Sequence, residues 1–349
     1  MADDITVHDL DERKRRVLRA IVTQYVATGE PVGSKRVVDA ARLDCSAATV
    51  RSEMSLLEEL GLIQQPHTSA GRIPTDQGYR LFVEELRDHP AMDGPHRQLI
   101  EDLLSGAYDV DELLMRTTQV LSQLTRLVSL VIAPAIDASR LKLIELVSLS
   151  SQTALLLLVT DTGRVDKRLV EFAEPVTDAD LDRVRSVLAE QMSGRRIGEV
   201  HSGVQALADT APTDLRSILA IIADMTATTT VEDPVHRVFV SGGAALADKG
   251  ALDREELHRV LELLEERATL ARLLDATATT SLEGPAVRIG RENEVADLHS
   301  TSMVAQRYQL VTAGSLGVLG PTRMDYATVL ATVRAVAEQL QDTLTDLAD

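Results

Sequence analysis

The sequence predicts an α+β protein of several domains with a winged helix-turn-helix at its N-terminal end. Three observations carry that reading. The chain has 349 residues, more than one compact core usually accommodates. Three helical patterns crowd into roughly the first 60 residues and are followed by two short extended runs around a breaker loop. Further on, strand patterns within 140–172 and 286–320 stand on either side of helical patterns that occupy much of 178–274.

The first helix is expected over Asp11–Ala27, where Val17, Leu18, Ile21, Val22, Tyr25 and Val26 recur at helical spacing before the stop "TGEP". Ser34 is a suitable N-cap for a second, short helix, "SKRVVDAARL", with Val37, Val38 and Ala41 on one face and Leu43 closing it. Ser46 is a suitable cap for a third helix running to Leu60, which Gly61 ends. On a helical wheel Ala47, Val50, Met54, Leu57 and Leu60 share one side of it, while Ala48, Arg51, Ser52 and Ser55 share the other. "LIQQ" and "GRIP" read as a hairpin around "PHTSA" with Arg72 at its tip, and Thr75 and Asp76 offer an N-cap for "DQGYRLFVEEL".

The breaker-rich "HPAMDGPH" at 89–96 reads as a linker, and Val110 to Ile132 as one long helix. "RLKLIELVSLS", "TALLLLVTDTGRV" and "DKRLVEF" are three consecutive strands, the last two joined by a turn at Asp161 to Gly163. Strand patterns return at "AVRIG", "SMVAQRYQL" and "GSLGVLG", and a final helix is expected from Asp325 to Leu347. That order implies a sheet interrupted by a helical insertion.

Composition narrows the function classes. Apolar residues make up 44% of the chain but aromatic ones only 2%, with no Trp, so the core must be built from Leu, Val, Ile and Ala. The single cysteine, Cys45, forbids an intrachain disulfide, and the eight scattered histidines supply no usual metal spacing, so no metal or cofactor is expected. The start "MADDITVHDLDERKRR" lacks the apolar core of a signal peptide, and no apolar run approaches a bilayer span, which leads to the expectation of a cytoplasmic protein without a membrane partner. Catalytic motifs are missing. "SGGAALADKG" lacks phosphate-loop spacing, Gly314, Gly317 and Gly320 are spaced in threes and read as turn glycines, and there is neither a G-x-S-x-G elbow nor an H-E-x-x-H helix. Cys45 reads as a small buried residue, and Arg288, Arg291 and Glu292 as a ligand or interface cluster or, by default, a surface ion pair. The chain is not expected to be an enzyme.

A net charge of −18 at first argues against nucleic acid, yet residues 1–85 carry 11 Lys and Arg against 14 Asp and Glu. A nearly balanced head thus sits on an acidic body, whose charge reads by default as serving solubility, with suppression of non-specific DNA binding as an added functional reading. The outward face of the third helix is small and polar, as a solvated helix face also is, but Thr49, Arg51, Ser52 and Ser55 stand where a recognition helix meets base edges. Lys35 and Arg36 at the second helix, and His67, Thr68, Ser69 and Arg72 on the hairpin, are side chains suited to the phosphate backbone. Helix, helix, recognition helix, hairpin, helix is the winged order, so the candidate ligand is double-stranded DNA.

Two groups of motifs, "EPVGSKRV", "SAATVRSEM" and "LEELGLIQQPHTSAGRIPTDQGYR" near one end and "VRIGREN" and "GSLGVLGPTRMDY" near the other, resemble the heat-inducible transcription repressor family (HrcA). Arg51-Ser52-Glu53 stands where that family usually has Arg-Asn-Asp. The resemblance implies a repressor of chaperone operons that binds an inverted-repeat operator as a homodimer and loses activity on heating, with a GroE-type chaperonin supporting its active fold. It also implies a GAF-like domain interrupted by an inserted, helix-rich dimerisation domain. The expected division is 1–88 for the winged head, 89–108 for a linker, 109–174 and 281–349 for the GAF-like domain and 175–280 for the insertion. The alternative reading is a winged-helix regulator whose GAF-like body binds a small effector.

Overall fold

A computed structural model of the chain describes residues 10–42, 44–67, 70–86, 92–107, 109–133, 139–161, 163–230, 238–244, 246, 252–281, 283–309 and 313–348. Asp11 caps α1 (Glu12–Thr28), its carboxylate accepting the Lys14 N–H at 2.9 Å, and the helix buries the stripe Val17, Leu18, Ile21 and Val22. α2 (Ser34–Ala41) starts one residue earlier in role than expected: Gly33, not Ser34, is its N-cap, and no side chain caps this end. Ser46 caps α3 (Ala47–Glu59) by accepting the Thr49 N–H at 3.1 Å, and Val50, Met54 and Leu57 are buried. Leu60 is exposed instead of joining them, because it is the C-cap residue; Gly61 at φ 73° then reverses the chain and Leu62 takes the inward place. Leu43 lies outside the described residues.

β1 (Ile63–Gln64) and β2 (Ile73–Pro74) pair antiparallel as the wing, and Thr75 Oγ1 caps α4 (Asp76–Leu86) by accepting the Gly78 N–H. The expected linker at 89–108 is largely a helix, α5 (Gly94–Leu104): Asp93 caps it, Pro95 opens its first turn instead of breaking it, and Ile100 and Leu104 are buried. Positions 87–91 and 108 lie outside the described residues.

α6 (Val110–Thr125) ends earlier than expected. Arg126 adopts the left-handed region at φ 54°, and Val128–Ile132 forms β3. All five residues of β3 are buried, so the alternation that marks a half-exposed strand is absent and the apolar run reads as more helix.

β4 (Leu141–Ser150), β5 (Thr153–Thr160) and β6 (Val165–Glu171) make a separate antiparallel sheet. Against it pack α7 (Asp178–Met192), α8 (Ile197–Thr210) and α9 (Thr213–Thr230), around a core of its own that includes Leu156, Val184, Val204 and Ile222. The chain then returns through β7 (Val238–Ser241), α10 (Arg254–Glu265), α11 (Arg267–Ala278), β8 (Ala286–Ile289), β9 (Thr301–Gln309), β10 (Ala313–Pro321) and α12 (Tyr326–Ala348). A five-stranded antiparallel sheet results, in the order β7-β3-β10-β9-β8. The segment from β4 to α9 thus has a sheet and a core of its own, while α10 and α11, expected within the insertion, pack on the far face of the five-stranded sheet. Consecutive strand patterns do not say which sheet each strand joins.

Gly314, Gly317 and Gly320, expected in turns, lie on β10 between β3 and β9. A Cβ there would sit 2.4 Å from the Tyr308 ring, 2.2 Å from the Val304 carbonyl oxygen and 2.5 Å from Leu127, respectively, so these glycines allow close approach inside the sheet. The near face of that sheet meets α6 and α12, and the core continues without interruption into α4 and the rest of the head.

Candidate DNA-binding surface

α3 presents Ala48, Arg51, Ser52 and Ser55 to solvent. Thr49 is half-buried, its Oγ1 lying 3.0 Å from the Ser46 hydroxyl, and the Ser55 hydroxyl donates to the Arg51 carbonyl at 3.1 Å. The Arg51 guanidinium has no hydrogen-bond or ion-pair partner among the described residues. Lys35 and Arg36 are exposed in the first turn of α2, where a helix start without a side-chain cap leaves backbone N–H groups for an outside acceptor. His67 is exposed on the wing; Thr68 and Ser69 lie outside the described residues.

Arg72 departs from its expected place. It sits at the base of the wing, not the tip, where its backbone N–H and C=O pair with Val32, each at 2.9 Å. Its guanidinium donates to one carboxylate oxygen of Glu58 on α3 at 2.8 and 3.0 Å and is only 19% exposed. Glu58 thus holds the charge that was expected to face phosphate. Gly71 makes this junction possible, since a Cβ there would lie 2.5 Å from the Val32 carbonyl.

A groove of about 400 Å³ joins the three parts of this surface: Val32, Gly33 and Ser34 at the start of α2, Arg51 and Met54 on α3, and Gln65, Ala70, Gly71 and Arg72 at the wing. Val32, Gly33 and Gln65 were not singled out in the sequence. The pairing of Val32 with Arg72 is non-local, and no local pattern signals it.

"RIGREN" does not form a simple surface pair. Glu292 binds Arg80 of α4, the Arg291 N–H donates to Asp76 at 3.0 Å, and Arg288 pairs with Glu294 at 2.8 Å. Burial disfavours the Arg80 charge, but the Glu292 carboxylate more than offsets it and the guanidinium is held more firmly protonated than usual. Cys45 is half-buried against the head's core. Among the described residues no group of three His, Cys, Asp or Glu is placed to hold a metal, and no helix is long and apolar enough to cross a membrane.

A helix-turn-helix with a two-stranded wing, its third helix outward and polar, mounted on a mixed α/β body, defines a winged-helix DNA-binding regulator. Residues 9–87 match the family model "Winged helix-turn-helix transcription repressor, HrcA DNA-binding", and residues 111–330 match "HrcA protein C terminal domain". The heat-inducible transcription repressor HrcA of Rhodococcus jostii (strain RHA1) is 41% identical over 345 residues, covering 96% of this chain and 99% of that protein. The protein of the same name from Frankia casuarinae is 42% identical over 337 residues, with coverages of 96% and 99%. A crystal structure of a protein described as hypothetical, 26% identical, superposes with a TM-score of 0.71 over 97% of this chain and 99% of that one. The chain belongs to the HrcA family of heat-inducible transcription repressors, negative regulators of heat-shock genes and in general not enzymes.

Proposed function

We infer that the protein represses chaperone operons by binding an inverted-repeat operator as a homodimer, with the outward face of α3 in the major groove. The observation that carries this is the Arg51 guanidinium on the exposed side of α3, beside the groove shared with the start of α2 and the wing. A guanidinium without a partner among the described residues at that place is suited to a bidentate contact with guanine. Lys35, Arg36 and His67 supply flanking phosphate contacts. Selection of bound DNA from a random pool tests the reading: recovery of an inverted repeat supports it, and recovery of no common sequence or of an asymmetric site refutes it.

The homodimer is supported by the outer face of the β4–β6 sheet. Leu143, Val147 and Leu149 of β4 and Leu169 of β6 are 41–56% exposed on one side of that sheet, an apolar surface that a second copy would cover. Heat then releases repression by depopulating the folded dimer, whose stability depends on concentration, and a GroE-type chaperonin returns misfolded chains to the folding route through nucleotide-driven release. Operator binding after a heat pulse is expected to recover with chaperonin plus ATP and to stay low with chaperonin alone; full spontaneous recovery would contradict this mechanism.

A further inference from the structure

The head and the body meet at a joint that brings α4 against the β8 end of the sheet and the start of α12. Arg80 donates through Nε to Glu292 at 2.8 Å, makes a second contact to the other oxygen of that carboxylate, and donates to the Val287 carbonyl at 2.7 Å. Glu292 is itself held in place, since it also accepts the Ile289 N–H at 2.8 Å. Beside it Asp76 accepts the Arg291 N–H, and Gly290, at φ 53°, lies so close beneath that a Cβ would stand 2.1 Å from the Asp76 carboxylate. The turn bearing these groups is braced from within by Asn293, whose buried amide donates to the carbonyls of Gly290 and Thr301 at 2.9 and 3.0 Å.

Behind this polar rim the Tyr79 and Tyr326 rings pack at 5.6 Å. Burial raises both phenols far above the ordinary tyrosine range, so both stay neutral. The Tyr326 hydroxyl is bonded to Ser302 and Thr322, whereas the Tyr79 hydroxyl is buried without a partner among the described residues. A second contact lies beside this pair: Arg323 stands over the Tyr25 ring at 5.9 Å and fills the space beside Gly29. In a chain with only eight Phe and Tyr side chains, three rings gather at this seam.

The centre of the joint leaves one buried hydroxyl unpaired, which opposes docking; the bidentate Arg80–Glu292 pair opposes release. None of these residues lines the groove at α3 and the wing. The joint is therefore separate from the surface that meets bases, and what it governs is the direction in which that surface points. For two heads on a symmetric dimer, rigid mounting fixes the distance and helical phase of the half-sites they can reach together, whereas loose mounting tolerates many spacings.

We propose that Arg80 and Glu292, with Asp76 and Gly290 beside them, are positioning residues for operator recognition, and that this latch, not the head alone, sets the spacing between half-sites that the protein accepts. The inference rests on the dimeric, inverted-repeat reading above. Loss of the latch leaves base recognition in each head intact and removes the selectivity for spacing.

The test uses the full-length protein and DNA carrying either one half-site or an inverted repeat whose spacer is varied one base pair at a time through half a helical turn. Arg80→Gln and Glu292→Gln are compared with the native chain and with the exchanged pair Arg80→Glu/Glu292→Arg, all checked for folding by circular dichroism. Each single variant is expected to hold one half-site within about twofold of the native chain while its ratio of best to worst spacing falls roughly tenfold, and the exchanged pair is expected to regain part of that ratio. Should Arg80→Gln unfold, Glu292→Gln probes the same contact from the body. A native spacing profile in a folded single variant would overturn the proposal, as would an equal loss on the half-site and on the best operator, which would mean that the pair only props up the head. A native chain that shows no preference for inverted repeats over single half-sites would instead overturn the dimeric reading on which the proposal rests.

Discussion

The outward face of α3 and the base of the wing each carry one arginine onto the same groove, yet the two side chains are in opposite situations. Arg51 extends from an exposed helix face with no partner among the described residues, while Arg72 is tied by its backbone to Val32 and by its guanidinium to Glu58. A cation counts toward DNA only if its charge is not already matched. In the function proposed above Arg51 is the residue that reads bases, whereas Arg72, through Glu58, joins the wing to α3.

The largest expected effect comes from uncoupling the two heads. Leu149→Glu with Leu169→Glu, on the exposed sheet face of the insertion, is expected to give monomers by sedimentation and to lower operator affinity by about 10²- to 10⁴-fold. A dimer of native affinity in that variant would place the dimer contact elsewhere. Next, Arg51→Ala is expected to cost about 1–3 kcal/mol of operator affinity and to relax preference at one base in each half-site, measured by fluorescence anisotropy on single-base operator variants.

Arg72→Ala sharpens the contrast. It leaves the Glu58 carboxylate without its partner, so the melting temperature should drop by an amount equivalent to about 1 kcal/mol, with weaker binding to all sequences alike. Because Glu58 already matches the charge, the dependence of affinity on salt should keep its native slope. Lys35→Ala reverses this pattern: stability stays native, and the slope of log affinity against log salt becomes shallower by about 0.9, one phosphate contact.

The head was the most legible part of the chain because its signals are local. Ser46 and Thr75 cap the helices they precede, Gly61 ends α3, and the stripe from Val17 to Val22 faces inward, although Gly33 and not Ser34 starts α2 and Asp11, read as the first residue of α1, is its cap. Where the sequence misled, the deciding contact was distant. Val128–Ile132 lost its alternation because helices cover both faces of the sheet, and β4–β6 looked like part of the same sheet because pairing partners leave no mark on a single strand. Gly314, Gly317 and Gly320 looked like turn residues, yet Tyr308, Val304 and Leu127 press against them within the sheet. At the candidate site the outward residues of α3 followed from helical periodicity alone. The fate of Arg72 did not, because Glu58 and Val32 reach it only in the folded head.

The division of labour between reading and holding is tested most directly by one measurement: the affinities of Arg51→Ala and Arg72→Ala for a set of single-base operator variants, repeated across a range of salt concentrations. The account predicts that Arg51→Ala flattens preference at one position of each half-site, and that Arg72→Ala lowers affinity for every sequence by the same factor with the native salt slope. Loss of base preference in Arg72→Ala, or its retention in Arg51→Ala, would contradict it.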